Sequence, residues 1–138
     1  MKLEILSFEG NVFSSDSVNQ VYSETKAGAI TILEGHASLL VSLLPSVIEV
    51  KYLKNGEEKI ENFAVGGGVL EVSNDKIKIL VDMLITVEKA DKERAQKAKD
   101  DAEKLMEKYK NAKDKIGMEE FIKAEDIVLK SIAEMKLK

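Results

Sequence analysis

The chain has 138 residues, 44% of them hydrophobic, with a net charge of −4 and no cysteine. That is enough apolar material for one compact domain, or for a small domain with an appendage, and too much for a disordered chain. The acidic balance disfavours generic polyanion binding, and the missing thiols exclude disulfides and thiolate metal sites and fit a reducing compartment.

The opening MKLEILSFEG is too short and too acidic for a signal peptide, and no apolar run approaches the ~20 residues of a membrane span. Within it, KLEIL alternates Leu3 and Ile5 with Lys2 and Glu4, the period-2 pattern of a half-buried strand. VFSSDSVNQVY reads as two further short runs around a Ser-Asp turn. SVIEVKYLKNGEEKIENFAV predicts a hairpin, because Asn55-Gly56 readily takes the positive φ of a tight turn. A second hairpin is expected at SNDK, between GGVLEV and KIKILV. Strands this short and regular, through about Val87, predict an antiparallel sandwich or a flattened barrel.

After Val87 the period changes. EKADKERAQKAKDDAEKLMEKYKNA is rich in strong helix formers. Its residues Ala95, Ala98, Ala102, Leu105, Tyr109 and Ala112 recur at three- and four-residue steps as one narrow apolar stripe. Asp91 is the expected N-cap. NAKDKIG, Asn111 to Gly117, interrupts the helix. A second helix is expected from about Met118, with bulky Phe121, Ala124, Val128, Ile132 and Met135 on one face. A short loop makes the two helices an antiparallel hairpin. Its alanine seam buries little apolar area, so it needs another surface to lie on.

Two motifs invite chemistry and do not carry it. VGGGVLEV lacks the Lys-Ser/Thr ending and following helix of a phosphate loop; its glycines read as a bend or a close approach between strands. His36 is the only histidine, with no second histidine or cysteine to complete a metal site and no nucleophile–base constellation around it. It reads as a structural or partner-facing residue, and neither catalytic nor metal-ligating residues are assigned. Arg94 is the sole arginine, hence the one side chain able to offer carboxylate or phosphate a rigid bidentate fork.

The order FEGNVFS, AITILEGHASLL, VGGGVLEV, IKILVD and ADKERAQKAK, collinear over nearly the whole chain, resembles the epsilon subunit of bacterial F-type ATP synthases. The resemblance implies a fold of β + α type: an antiparallel ten-stranded β-sandwich over residues 1–87, then a two-helix antiparallel hairpin over 88–138. Gly35, His36, Ala37, Leu39 and Leu40 keep the family's Gly-His-Ala segment, while Thr31, Glu34 and Ser38 depart from it. The serine expected before Gly66-Gly67-Gly68 is absent, and Ala29 stands where an acidic, ring-facing residue is common.

Such membership implies a non-catalytic rotor subunit, peripheral on the cytoplasmic face of the inner (plasma) membrane. It would couple ion flow through the c-ring to ATP synthesis, and its C-terminal helices would inhibit hydrolysis. The implied partners are the gamma subunit, the polar loops of the c-ring and the α/β catalytic hexamer, with Gly35, His36, Leu39 and Leu40 in the gamma and c-ring contact. No cofactor is required. ATP is implied as a weak regulatory ligand, since Asp91, Arg94 and Ala95 match an Ile/Leu-Asp-x-x-Arg-Ala motif in which Ala90 replaces the branched residue. Lys97, Lys99 and Lys123 add charge without bidentate geometry. The other reading of that motif is structural, with Asp91 capping the helix and Arg94 paired to a carboxylate. The alternative to the whole reading is a free-standing β-sandwich adaptor whose helical tail binds a coiled-coil partner.

Overall fold

The computed structural model describes residues 1–10, 12–87, 90–111 and 113–137. Ala112 of the expected stripe, and residues 88, 89 and 138 of the expected helical region, lie outside the described residues. Among the described residues, ten strands precede two helices: β1 (Lys2–Ser7), β2 (Val12–Ser15), β3 (Val18–Thr25), β4 (Gly28–Leu33), β5 (Leu39–Leu43), β6 (Ser46–Lys54), β7 (Glu57–Val65), β8 (Gly68–Ser73), β9 (Lys76–Val81), β10 (Leu84–Thr86), α1 (Lys92–Tyr109) and α2 (Lys115–Lys136).

The strands pair in the order β10-β7-β6-β3-β5-β8-β9-β1-β2, with β4 joined to β3. Inward residues from distant parts of this order, such as Leu3 and Ile5 of β1, Ile48 and Val50 of β6, and Ile77 and Ile79 of β9, form a single buried cluster. The sheet therefore closes over itself as a sandwich. Phe13 of β2 shows this directly, since its ring lies 5.5 Å from Tyr52 of β6 and 5.0 Å from Phe63 of β7.

Turn chemistry sets the hairpins. Asn55 and Gly56 have φ of 54° and 80°, the double positive φ of a type I′ turn, and they join β6 to β7 in continuous register. Asn74 and Asp75, at 50° and 60°, do the same between β8 and β9. The glycine run is a close approach, as expected. A Cβ on Gly68 would collide with the Leu80 carbonyl, and one on Gly66 with the Asp82 carboxylate.

One pairing departs from the antiparallel expectation: β1 runs parallel to β9. Period-2 alternation says which face a residue takes but not which way its strand runs. No hairpin connects these two strands to force the direction.

The helices also correct the reading in detail. α2 begins at Lys115, because Asp114 takes the extended N-cap conformation and its carbonyl accepts from the Met118 amide at 3.1 Å. Gly117 is thus helical and buried, as are Ala124 and Ser131 at heptad spacing. The residues the two helices bury are small on both, with Ala95 and Ala102 buried on α1, rather than alanine on one and bulk on the other. Leu105 is 40% exposed, and Phe121, Val128, Ile132 and Met135 are only half-buried. The two helices lie mainly against each other, and the end of α2 also meets β6 and β7 of the sheet. Ala133 and Leu137 at the end of α2 pack on Ala64 of β7, bordered by Val47, Ile85 and Ala90.

Candidate functional site

The first site is the root of the hairpin. Asp91 stands at the N-cap with extended backbone, and its Oδ1 accepts from the Arg94 amide at 3.0 Å. Ser/Thr/Asp/Asn at this position satisfy amides that the first helical turn leaves unpaired. Ala95 is buried in the seam. The Arg94 guanidinium is 67% exposed, and its Nη2 reaches Glu134 Oε1 of α2 at 3.1 Å. The same Glu134 oxygen accepts from the Asp91 amide at 3.1 Å. The structural role anticipated for Asp91 and Arg94 is therefore present.

Glu134 was missed from sequence, although a signal for it exists. An acidic side chain in the last turn of a helix sits at the negative end of the helix dipole. Such a misplaced charge asks for a compensating partner, and the positive N-terminal end of α1 provides it.

One turn earlier, Lys130 Nζ bridges Asp82 Oδ2 of the β9–β10 turn at 2.7 Å and Asp126 Oδ2 at 2.9 Å. Burial pulls its pKa down, but hydrogen bonds and charge from the two carboxylates outweigh that and raise it. Asp82 Oδ1 is buried with no hydrogen-bond partner among the described residues, over the space that Gly66 leaves open. Arg94, Ala95, Lys130 and Glu134 share one wall of an open cleft of about 500 Å³, faced by Met83–Ile85. Lys97, Lys99 and Lys123 are not among its lining residues; Lys99 pairs with Glu103 and Lys123 with Glu120 on their own helices.

The second site is the His36 loop. The His36 amide donates to the Leu33 carbonyl at 3.1 Å, and Gly35, at φ 82°, donates its amide to Asp75 Oδ1 at 3.1 Å. The half-buried His36 ring sets Nδ1 2.7 Å from the Ala37 carbonyl, a bond within the loop itself. Leu39 turns inward and packs against the core. Leu40 turns outward and is 71% exposed. On the same outer face stand Val69 and Leu80, both exposed and directly cross-strand, edged by exposed Lys76 and Lys78.

Comparisons with known proteins bear on both halves. A family profile described as the ATP synthase delta/epsilon chain beta-sandwich domain matches residues 1–87. ATP synthase epsilon chains of Staphylococcus aureus, strains JH9 and Newman, are each 34% identical over 107 residues, covering 78% of this chain and 77% of theirs. Among solved structures, a chain of the Euglena gracilis mitochondrial ATP synthase (OSCP/F1/c-ring, rotational state 1) superposes with TM-score 0.71 at 21% identity, covering 92% of this chain and 74% of that one. A chain from the central stalk and c-ring of the Tetrahymena thermophila mitochondrial enzyme gives 0.54 at 17% identity, covering 65% and 69%. The structural likenesses carry the fold. The profile match and the sequence identity establish that this chain belongs to the delta/epsilon family of ATP synthase subunits, among its epsilon chains.

Proposed function

We propose that the chain is a non-catalytic rotor component of an F-type ATP synthase. In this role the sandwich clamps the foot of the gamma subunit and rests on the polar loops of the c-ring, passing torque from ion flow into the central stalk. It sits peripherally on the cytoplasmic face of the inner (plasma) membrane, held by those two partners. The observation that carries this reading is the 34% identity over 107 residues to chains named ATP synthase epsilon chain. The exposed Val69–Leu80 pair, with exposed Leu40 opposite Glu71 on the same face, supports it, because exposed apolar side chains among charged ones suit a protein partner. Residues 1–87 and the full chain should both co-purify with gamma. A soluble full chain that binds gamma, beside a truncated chain that does not, overturns the division of labour between sandwich and helices.

The helical hairpin is the regulatory part. Folded down, it rests on β6, β7 and β10 through few large side chains, so an extended state lies within a few kcal/mol, about the range of ordinary conformational equilibria. Extended, it carries Lys113, Lys115, Lys123 and Lys130 toward an acidic loop of a catalytic subunit in the α/β hexamer and brakes hydrolysis. Lys130 is engaged with Asp82 in the folded state, which supports a role that changes with conformation.

ATP is a weak regulatory ligand in this reading, held at Asp91, Arg94 and Ala95. The cleft of about 500 Å³ beside the exposed Arg94 favours it, and the loss of one guanidinium donor to Glu134 limits its affinity. Calorimetric titration with millimolar ATP should give heat that Arg94→Ala removes. An unchanged signal, or none at all, leaves Asp91 and Arg94 with their structural roles alone.

A further inference from the structure

Glu134 is 6% exposed in the last turn of α2. A carboxylate there is disfavoured twice, by desolvation and by the negative end of its own helix. Among the described residues, its compensation comes from the start of α1. One oxygen, Oε1, accepts from the Asp91 amide 43 residues away and from the Arg94 guanidinium 40 residues away. The donors are the N-cap amide and a first-turn side chain of α1, whose dipole is positive at that end.

The surroundings give this contact weight. Along the rest of the hairpin the buried residues are small, Gly117, Ala124 and Ser131 on α2 and Ala95 and Ala102 on α1, so they offer little apolar side-chain surface. The last two turns of α2 instead hold three things together: the start of α1 through Glu134, the β9–β10 turn through Lys130 and Asp82, and the outer face of β7 through Ala133, Leu137 and Ala64. Leu137 lies just beyond Glu134, and its amide donates to the Glu134 carbonyl at 3.2 Å. Whatever holds Glu134 in register also aims Leu137.

We infer that Glu134 is the latch of the hairpin: its carboxylate, seated on the Asp91 amide and Arg94, holds the end of α2 against the start of α1 and thereby keeps both helices on the sandwich. Arg94 and Asp91 are the receptor of the latch. Removing the charge frees both helix ends while leaving the sandwich folded. The consequence for ATP hydrolysis rests on the reading that undocked helices inhibit; the latch itself does not.

The test is amide hydrogen exchange on the full chain, comparing the unsubstituted protein with Glu134→Gln, Arg94→Met and the double variant. Both single variants should speed exchange at least tenfold in residues 90–98 and 128–137, and leave β6 and β7 protected. The double variant should exchange no faster than the singles, because the two residues serve one contact. Exchange within twofold of the unsubstituted protein in both singles overturns the latch. So does equal loss of protection in the strands, which would make Glu134 a general stability residue. Hydrolysis by the reassembled complex separates the two readings. Faster local exchange with lower ATPase supports both, whereas faster exchange with unchanged ATPase keeps the latch and overturns inhibition by the helices.

Discussion

Leu137 of the α2 C-terminus, 1% exposed, packs against fully buried Ala64 on the outer face of β7. A leucine this well covered is worth roughly 1.5–3 kcal/mol relative to solvent, a large share of what a thin hairpin has to hold it down. Leu137→Ser should therefore weaken docking by about 2–3 kcal/mol. Proteolysis should then cut α1 and α2 far faster while sparing residues 1–87. Equal resistance in both proteins would mean that docking rests elsewhere.

His36→Ala should leave folding nearly untouched, because among the described residues the half-buried ring bonds within its own loop. A stability change within about 0.5 kcal/mol is expected, as for other surface substitutions. Gamma affinity should fall about tenfold, or ~1.4 kcal/mol. Thermal denaturation beside a gamma titration separates the effects, and a large drop in melting temperature with intact gamma binding would reverse the assignment.

Much of the fold was legible because its signals are local. Period-2 runs, two pairs of turn residues with positive φ and a compositional switch after Val87 each act over a few residues. The parallel β1/β9 pair was not legible, since strand direction leaves no trace in alternation. The hairpin seam was misjudged for a related reason. Gly117 looks like a terminator after Asn111 and Asp114, yet it lies within α2 and is buried there. At the candidate site, Asp91 and Arg94 stood out by type and spacing. Glu134, which joins them, lies 40 residues beyond Arg94, and only the antiparallel fold brings it home.

Alkaline pH should loosen both halves, by different groups. Desolvation lowers the Lys130 pKa but its bonds to Asp82 and Asp126 more than restore it, leaving it above the ordinary 10.5. Burial, the Glu61 charge and a hydrogen bond to Glu61 raise the Tyr52 phenol above 10.0. A group whose folded pKa is raised contributes stability that is complete below its unfolded value and is lost as pH rises through the folded one. Urea denaturation should thus show stability falling at pH values above about 10, less steeply in Lys130→Gln and in Tyr52→Phe. Identical alkaline limbs in all three proteins would show that neither pairing matters to folding.

If the sandwich belongs to the rotor and the helices restrain it, the ATPase rate shows it, measured on a complex of gamma and the α/β hexamer reconstituted with either the full chain or residues 1–87. Removing residues 88–138 should raise hydrolysis while gamma remains bound. A rate unchanged across a range of ATP concentrations, with both forms stably incorporated, would contradict it.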